Sequence, residues 1–321
     1  MSPDEFSGGK AMNMDTHRMA PTRPRTAWLG PVAVGIALVV GAFVAASYIA
    51  GPSSKPDPMR GVIDQAEDQI RTDPNNPALR VSVADAYMKA GRVDDAIAQY
   101  QEALQIDAAN EDALLGVGLA YREKGLLDEA GTALQTVIET NRDNPVGALN
   151  KRLQSAHFYL GLVLRDQGRY DDAINELRTA LGMNRADADT VFELGKTFAL
   201  NNNNDDASAA FDLAVAFVPD FQEAYVEIQK LATTMGDQAK AQYAGAMLDV
   251  LAGNAASAVP TLQTVAEQGK SAHFWWALGY ALEKTNDKTG AIAAYQKSVE
   301  INPGELLAAE SLRQLQGGGA P

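Results

Sequence analysis

Two stretches of the sequence repeat one another at a fixed offset, and this repetition constrains the fold more than any other feature. The stretches are AYMKAGRVDDAIAQYQEAL, residues 86–104, and AYREKGLLDEAGTALQTVI, residues 120–138. Three aligned pairs carry the similarity: Tyr87 with Tyr121, Gly91 with Gly125, and Ala96 with Ala130. The residue number rises by 34 in each pair. A fixed period of this length predicts an array of small repeats, each of which buries its apolar face against its neighbours.

The period continues through most of the chain. It is marked by a recurring alanine, found at Ala96, Ala130, Ala173, Ala207, Ala258 and Ala291. The successive differences in residue number are 34, 43, 34, 51 and 33. The two long spacings predict an insertion of nine residues near 141–153 and an irregular unit, longer by half a period, near 236–252.

Small and turn-forming residues indicate what each repeat contains. Two antiparallel helices can approach closely only where small side chains separate them, and Ala96 and Gly118 meet that requirement. Gly91, Gly125 and Gly168 stand where the first helix of a pair should end, because glycine adopts a left-handed cap at little cost. Acidic residues follow each of these glycines, at the positive end of the next helix dipole. The pattern predicts helix–turn–helix pairs.

The repeats resemble those of the tetratricopeptide repeat family. The family pattern of Trp-x2-Leu-Gly, then Ala-x3-Tyr or Phe, then Pro is met by Trp275, Leu278, Gly279, Ala291, Tyr295 and Pro303. A second repeat follows it with Leu194, Gly195, Phe198, Ala207, Phe211 and Pro219. The resemblance implies an all-α, right-handed superhelical solenoid of about six to seven repeats over residues 59–316. Residues 59–73 would form a lone second helix at one end, and residues 306–315 a capping helix at the other.

An uncharged segment precedes the repeats. No charged residue occurs from Thr26 to Ser54, and residues 27–50 are long and apolar enough to predict a single transmembrane helix. The alternative is a cleaved signal peptide with Ala45–Ser47 at the cleavage site, although the apolar stretch is longer than such peptides usually have. Residues 1–26 and 317–321 are expected to be disordered tails, and residues 51–58 a short linker.

The charges that flank this segment predict its orientation. Three arginines precede it, against Lys55 and Arg60 after it, with Asp57 diluting the second set. The positive-inside rule therefore favours a single-pass membrane protein with a cytoplasmic N-terminus and the repeats on the extracytoplasmic side.

Composition excludes several classes of function. A net charge of −14 argues against a nucleic-acid binder, because phosphate neutralisation needs a clustered basic surface. The chain has no cysteine, and its three histidines are too scattered to suggest a metal site. His157 stands where the last repeat has Trp275, so it is expected to pack against neighbours. The sequence therefore predicts no catalytic residue, no metal, no cofactor and no enzymatic activity.

A partner-binding groove is the functional prediction that the resemblance implies. Family groove positions, the second, fifth, ninth and twelfth of each repeat, carry apolar, aromatic and basic side chains here. The predicted groove residues are Leu115, Leu119, Arg122, Phe158, Leu162, Arg165, Phe192, Lys196, Lys230, Trp276 and Tyr280. The aromatic side chains would anchor a peptide, and the cations would pair with its carboxylates. In the alternative interpretation these side chains pack between repeats and the cations pair with Asp166, Glu123 or Glu227.

The favoured function is a membrane-tethered scaffold that binds partner polypeptides, as in the assembly of an envelope or secretion-type complex. The alternative is a self-associating structural component, in which the irregular unit near 236–252 exposes an edge that pairs with another copy. Partner proteins or peptides, the membrane and a second copy of the chain are thus the predicted partners, and nucleic acid is not.

Overall fold

The structure, a computed structural model, describes residues 59–142, 150–269 and 271–317. The predicted tail at 1–26, transmembrane helix at 27–50 and linker at 51–58 lie outside the described residues, as does the predicted C-terminal tail except for Gly317. Among the residues that are described, no helix combines the length and the apolarity that a bilayer crossing needs.

The described residues form fifteen α-helices and no strand. The helices are α1 (Arg60–Thr72), α2 (Pro77–Lys89), α3 (Val93–Ile106), α4 (Glu111–Glu123), α5 (Leu127–Thr140), α6 (Lys151–Asp166), α7 (Tyr170–Met183), α8 (Ala188–Leu200), α9 (Asn204–Phe217), α10 (Gln222–Met235), α11 (Gln238–Leu251), α12 (Ala255–Gln268), α13 (Ala272–Lys284), α14 (Lys288–Ile301) and α15 (Leu306–Leu315). Each helix packs mainly against the helices before and after it in the chain. This confirms the all-α repeat prediction; the right-handed sense of the solenoid stays a prediction.

The helices pair into repeats. Repeats 1 to 4 are α2–α3, α4–α5, α6–α7 and α8–α9, and α13–α14 forms the last complete repeat. The predicted lone helix at the N-terminal end of the array and the predicted C-terminal capping helix are present as α1 and α15. The predicted insertion falls in the connection between α5 and α6, of which residues 143–149 lie outside the described part.

One turn geometry joins the two helices of every repeat. The predicted caps Gly91, Gly125 and Gly168 have φ between +72° and +76°, and asparagines adopt the same left-handed conformation at Asn202 and Asn286. In each turn a backbone N–H donates to the carbonyl five residues earlier, as Arg92 does to Tyr87 at 2.9 Å. These bonds satisfy carbonyl groups that the end of the helix would otherwise leave without a partner.

The core confirms the reason for small residues at the marker positions. The six recurring alanines are at most 1% exposed. A Cβ atom added at Gly118 would lie 3.0 Å from Leu134, and one at Gly161 would lie 2.7 Å from Leu177 and 3.2 Å from the Ala173 carbonyl oxygen. A Cβ at Gly118 would require Leu134 to shift, and one at Gly161 would be closer than Cβ atoms are normally found, so the second helix of a repeat approaches the first at glycine.

The irregular unit is a helix shared by two repeats. Gly236 lies between α10 and α11, Gly253 lies between α11 and α12, and both have left-handed φ. In both turns a backbone N–H donates to the carbonyl five residues earlier, as it does in the turn within each of the other repeats. Helix α11 is therefore the second helix of repeat 5 (α10–α11) and the first helix of repeat 6 (α11–α12). The additional half-period is the length of one helix and its turn.

Helix α11 buries residues on more than one face to serve both repeats. Tyr243, Ala244, Ala246, Met247 and Val250 are each at most 5% exposed. These apolar side chains are covered by α10 and α12, whereas polar residues of α11 such as Gln242 and Asp249 are exposed. Self-association of the chain stays an untested prediction.

Candidate functional site

The first helices place the predicted groove residues at three levels of exposure. Lys230 is exposed. Half-buried are Leu115, Leu119, Arg122, Phe158, Arg165, Lys196 and Tyr280, and buried are Leu162, Phe192 and Trp276. We call the surface formed by the groove positions of α2, α4, α6, α8, α10 and α13 the first-helix face. Its accessible part combines aliphatic carbon with charged groups.

The predicted cations pair with carboxylates of the chain itself. The Arg122 guanidinium donates to Asp166 Oδ2 at 2.7 Å, across from repeat 2 to repeat 3. Arg165 pairs with Glu193 of the next repeat, and Lys196 Nζ donates to Glu193 Oε1 at 3.0 Å. Arg122, Asp166, Arg165 and Glu193 therefore link the first helices of repeats 2, 3 and 4 to one another. The alternative interpretation named Asp166 as such a partner, whereas sequence reasoning missed Glu193 and the links that these pairs make between repeats.

Lys230 differs from the other predicted cations. Its side chain is 74% exposed, and Nζ lies 3.5 Å from Glu227, at the limit of a hydrogen bond. An exposed pair of this kind contributes little to stability, so the ammonium group can exchange partners at little cost. Lys230 is therefore the predicted cation that is most available to a ligand.

Phe192 and Trp276 lie in the core. The Phe192 ring is 4.9 Å from that of Phe221 and 5.7 Å from that of Phe211. Trp276 is 2% exposed and stacks between His273 at 4.8 Å and Tyr280 at 5.5 Å. A partner would reach these two rings only if their neighbours moved away, so the available aromatic surface is that of Phe158 and Tyr280.

A cleft between α8 and α10 brings two predicted site residues together. It has a volume of about 360 Å³, and its lining includes Lys196, Leu200, Phe211, Lys230 and Leu231. Leu200 is 51% exposed at its mouth. Each ammonium group pairs with a glutamate of its own helix, Lys196 with Glu193 and Lys230 with Glu227, and Glu227 also lines the cleft. An anionic group of a ligand would have to replace one of these partners, which costs least at the exposed Lys230, and the apolar lining suits an apolar side chain.

Helix α11 interrupts the first-helix face. Its groove positions hold Tyr243, Met247 and Val250, which are buried because α11 also belongs to repeat 5. The sequence indicates this arrangement through Gly236 and Gly253, which are half a period apart. The family pattern does not include a second glycine at this spacing. Two caps of the same kind at this short spacing predict one helix that is used twice.

The histidines pair with neighbouring side chains. His157 Nδ1 lies 2.6 Å from Glu176 Oε2, within repeat 3. His273 Nε2 lies 2.9 Å from the Tyr243 hydroxyl, and burial raises the pKa of Tyr243 well above its ordinary value. No group of three or more His, Asp or Glu side chains within residues 59–142, 150–269 and 271–317 is arranged to hold a metal ion.

Paired helices, left-handed caps within each pair and an accessible face on the first helices define a helical-repeat protein of the solenoid class. Models of the tetratricopeptide repeat match residues 158–220 and 243–305, and further TPR-repeat models match residues 84–125 and 112–144. The chain is therefore a tetratricopeptide-repeat protein. The match at 243–305 begins inside α11, as expected if this helix opens a repeat.

Solved structures resemble this chain at low sequence identity, and one of them, PilW, is similar enough to show the same fold. PilW, described as a widely conserved type IV pilus biogenesis factor, is 17% identical with a TM-score of 0.55, and the match covers 69% of this chain and 94% of PilW. YrrB, a TPR protein with an unusual peptide-binding site, is 16% identical over 77% of this chain and 96% of its own, with a TM-score of 0.41. A TPR protein from Parabacteroides merdae is 16% identical over 90% and 100%, with a TM-score of 0.45. No curated protein matched the sequence.

Proposed function

We propose that the protein is a non-enzymatic scaffold that binds partner polypeptides on its first-helix face and is tethered to a membrane by residues 27–50. The observation that carries the binding proposal is the cleft between α8 and α10, where Lys196 and Lys230 stand beside apolar side chains. A polypeptide segment with an acidic and an apolar side chain would fit this chemistry. Because the fold itself does not specify a partner, the partner is assigned here only by chemical class.

The tethering proposal rests on the sequence. The uncharged segment from Thr26 to Ser54 stands directly before the repeats, and the flanking arginines favour placement of the repeats on the extracytoplasmic side. A scaffold held there would present partners next to the bilayer. Assembly of a complex of the cell envelope is the corresponding role that we propose.

A pair of charge reversals tests the binding surface. Lys230→Glu changes an exposed lysine of the first-helix face, and Lys297→Glu changes an exposed lysine of α14 that likewise has a glutamate three residues away. Both reversals should leave stability within about 0.5 kcal/mol of the parent. We expect Lys230→Glu, and not Lys297→Glu, to reduce co-purification of partners with the full-length chain from detergent extracts of its host. Equal losses, or none, would refute the assignment of this face.

A further inference from the structure

A second cleft lies between α3 and α5, the second helices of repeats 1 and 2, and its inner wall is formed by residues of α4 that do not occupy groove positions. Its origin is clear from the neighbouring repeats. In repeat 1 the Arg80 guanidinium of α2 donates to Gln99 Oε1 at 3.3 Å and pairs with Glu102, both on α3. In repeat 3, His157 of α6 and Glu176 of α7 form the corresponding bridge at 2.6 Å. A polar bridge thus fills the space between first and second helix in both repeats.

Repeat 2 has no such bridge. Leu114 stands in the place of Arg80 and His157, and Ala133 in the place of Gln99 and Glu176. Neither side chain reaches across, and a cleft of about 400 Å³ opens there. Its walls include Leu104, Leu114, Val117 and Tyr121, and the Tyr121 hydroxyl accepts a hydrogen bond from Gln101 at 2.7 Å. The cleft is thus apolar and its aromatic wall is held in place.

The rim of this cleft carries two carboxylates. Asp128 and Glu129 line it from the first turn of α5. The hydroxyl groups of Thr132 and Thr136, also at the rim, donate to backbone carbonyl oxygens one turn earlier at 2.8 and 2.9 Å. Asp128 accepts from Gln167 at 3.0 Å, whereas no hydrogen bond or ion pair in the described part of the chain engages Glu129. A ligand therefore meets apolar carbon inside and negative charge at the entrance.

We propose that this cleft binds a basic, amphipathic segment of a partner polypeptide, with an apolar side chain inside and a lysine or arginine at Asp128 and Glu129. Long cationic side chains lay their methylene groups on apolar surface and place the charge at the edge, which matches this arrangement. The net charge of −14 attracts basic segments from a distance. The site is separate from the first-helix face, so it does not depend on the function proposed for that face.

The test fills the cleft without changing any charge. Ala133→Gln introduces the residue that repeat 1 has at this position, and it retains every carboxylate, so non-specific attraction of cations persists. The probe is a short fluorescent peptide of alternating lysine and leucine, titrated against the full-length chain in a non-ionic detergent and followed by fluorescence anisotropy. We expect the substitution to weaken binding about tenfold or more, since it removes the space for an apolar side chain. Unchanged affinity would overturn the proposal.

Two controls separate the alternatives. Glu129→Lys reverses the exposed rim charge and leaves the cleft open, so it should weaken binding of the same peptide even if Ala133→Gln disturbs folding, as judged by circular dichroism. A peptide of alternating glutamate and leucine should bind no better to the parent chain than to Ala133→Gln. Binding of the acidic peptide that Ala133→Gln abolishes would overturn the proposal, because the lysine-lined cleft between α8 and α10, where acidic segments are expected to bind, is unchanged in that variant. So would a dimer of the parent chain that Ala133→Gln abolishes in light scattering, because the occupant would then be a second copy.

Discussion

Glycine has two different roles inside the helices of this chain. At Gly161 an added Cβ would meet Leu177 and the backbone of α7 at 2.7 to 3.2 Å, so the residue sets the separation of two helices. At Gly131, also buried within a helix, an added Cβ would make ordinary contacts of 3.8 and 3.9 Å with Val163 and Leu160. The first position needs a glycine, whereas the second merely tolerates one.

Alanine substitutions at these two positions should therefore change stability in opposite directions. Gly131→Ala should raise the free energy of unfolding by up to about 1 kcal/mol, because glycine in a helix is less favourable than alanine. Gly161→Ala gains the same preference but forces the helices apart, which costs about 1 to 3 kcal/mol, so a net loss is expected. Thermal denaturation followed by circular dichroism measures both. A stabilised Gly161→Ala chain would show that the two helices can separate easily.

Buried tyrosines predict how stability depends on pH. Tyr225 donates to the Pro219 carbonyl oxygen at 3.1 Å, and its ring lies 5.9 Å from that of Tyr243. Burial is the main cause that raises the pKa of both hydroxyl groups above the ordinary value of 10.0. The native chain therefore keeps these protons at pH values where an unfolded chain loses them.

The alkaline limb of the stability curve should reflect these tyrosines. Above a pH of about 10 the unfolded state binds fewer protons than the native state, so the free energy of unfolding falls as the pH rises. We expect tyrosinate absorbance and loss of helical circular dichroism to appear together in an alkaline titration. Tyr243→Phe removes one of these groups and should make the decline less steep. Ionisation of tyrosine that precedes unfolding would contradict the assignment.

Neighbouring repeats are joined at their internal turns by a recurring contact between elements. In repeats 2, 3 and 4 the residue before the cap donates to the acid at the start of the preceding repeat's second helix. The pairs are Lys124 with Asp94, Gln167 with Asp128, and Asn201 with Asp171. Met235 occupies the donor position in repeat 5, opposite Asp205, and it is 43% exposed. The series of contacts therefore ends at α10.

Met235→Gln should extend this series by one contact. The glutamine amide would reach Asp205 as that of Gln167 reaches Asp128, and a hydrogen bond to a partly exposed carboxylate contributes about 0.5 to 1.5 kcal/mol. A higher thermal midpoint is the expected result. Met235→Leu, which cannot donate, is the matched control and should leave the midpoint unchanged. An equal effect of both substitutions would attribute the gain to side-chain shape.

The sequence predicts those elements whose signals are local. The left-handed caps at Gly91, Gly125 and Gly168, the close approach at Gly118 and the terminal helices all follow from residue types at fixed spacing. The burial of Trp276 and Phe192 does not, because it depends on which side chains the neighbouring elements supply. The fifth position of a repeat is half-buried at Leu115 and buried at Trp276, where His273 and Tyr280 stack on both sides. The shared use of α11 likewise needs two overlapping repeats to be recognised together.

The cysteine-free chain allows a direct test of topology at the scale of the whole molecule. Ser257→Cys introduces a thiol at an exposed position of α12, and Ser7→Cys introduces one before the predicted membrane span. If residues 27–50 span the membrane as proposed, a membrane-impermeant maleimide added to intact cells labels only the Ser257→Cys chain. Permeabilised cells are the control, in which both chains react. The reverse labelling pattern in intact cells would place the repeats in the cytoplasm.

Helix α11 makes repeats 5 and 6 mechanically inseparable. In an ordinary repeat array any junction can open while each fragment keeps its complete helix pairs, so pulling on the ends peels off one pair after another. Here a break on either side of α11 leaves one helix, α10 or α12, without the helix that it pairs with. Under force we therefore expect α10, α11 and α12 to yield in a single larger extension step, flanked by smaller steps from the remaining pairs.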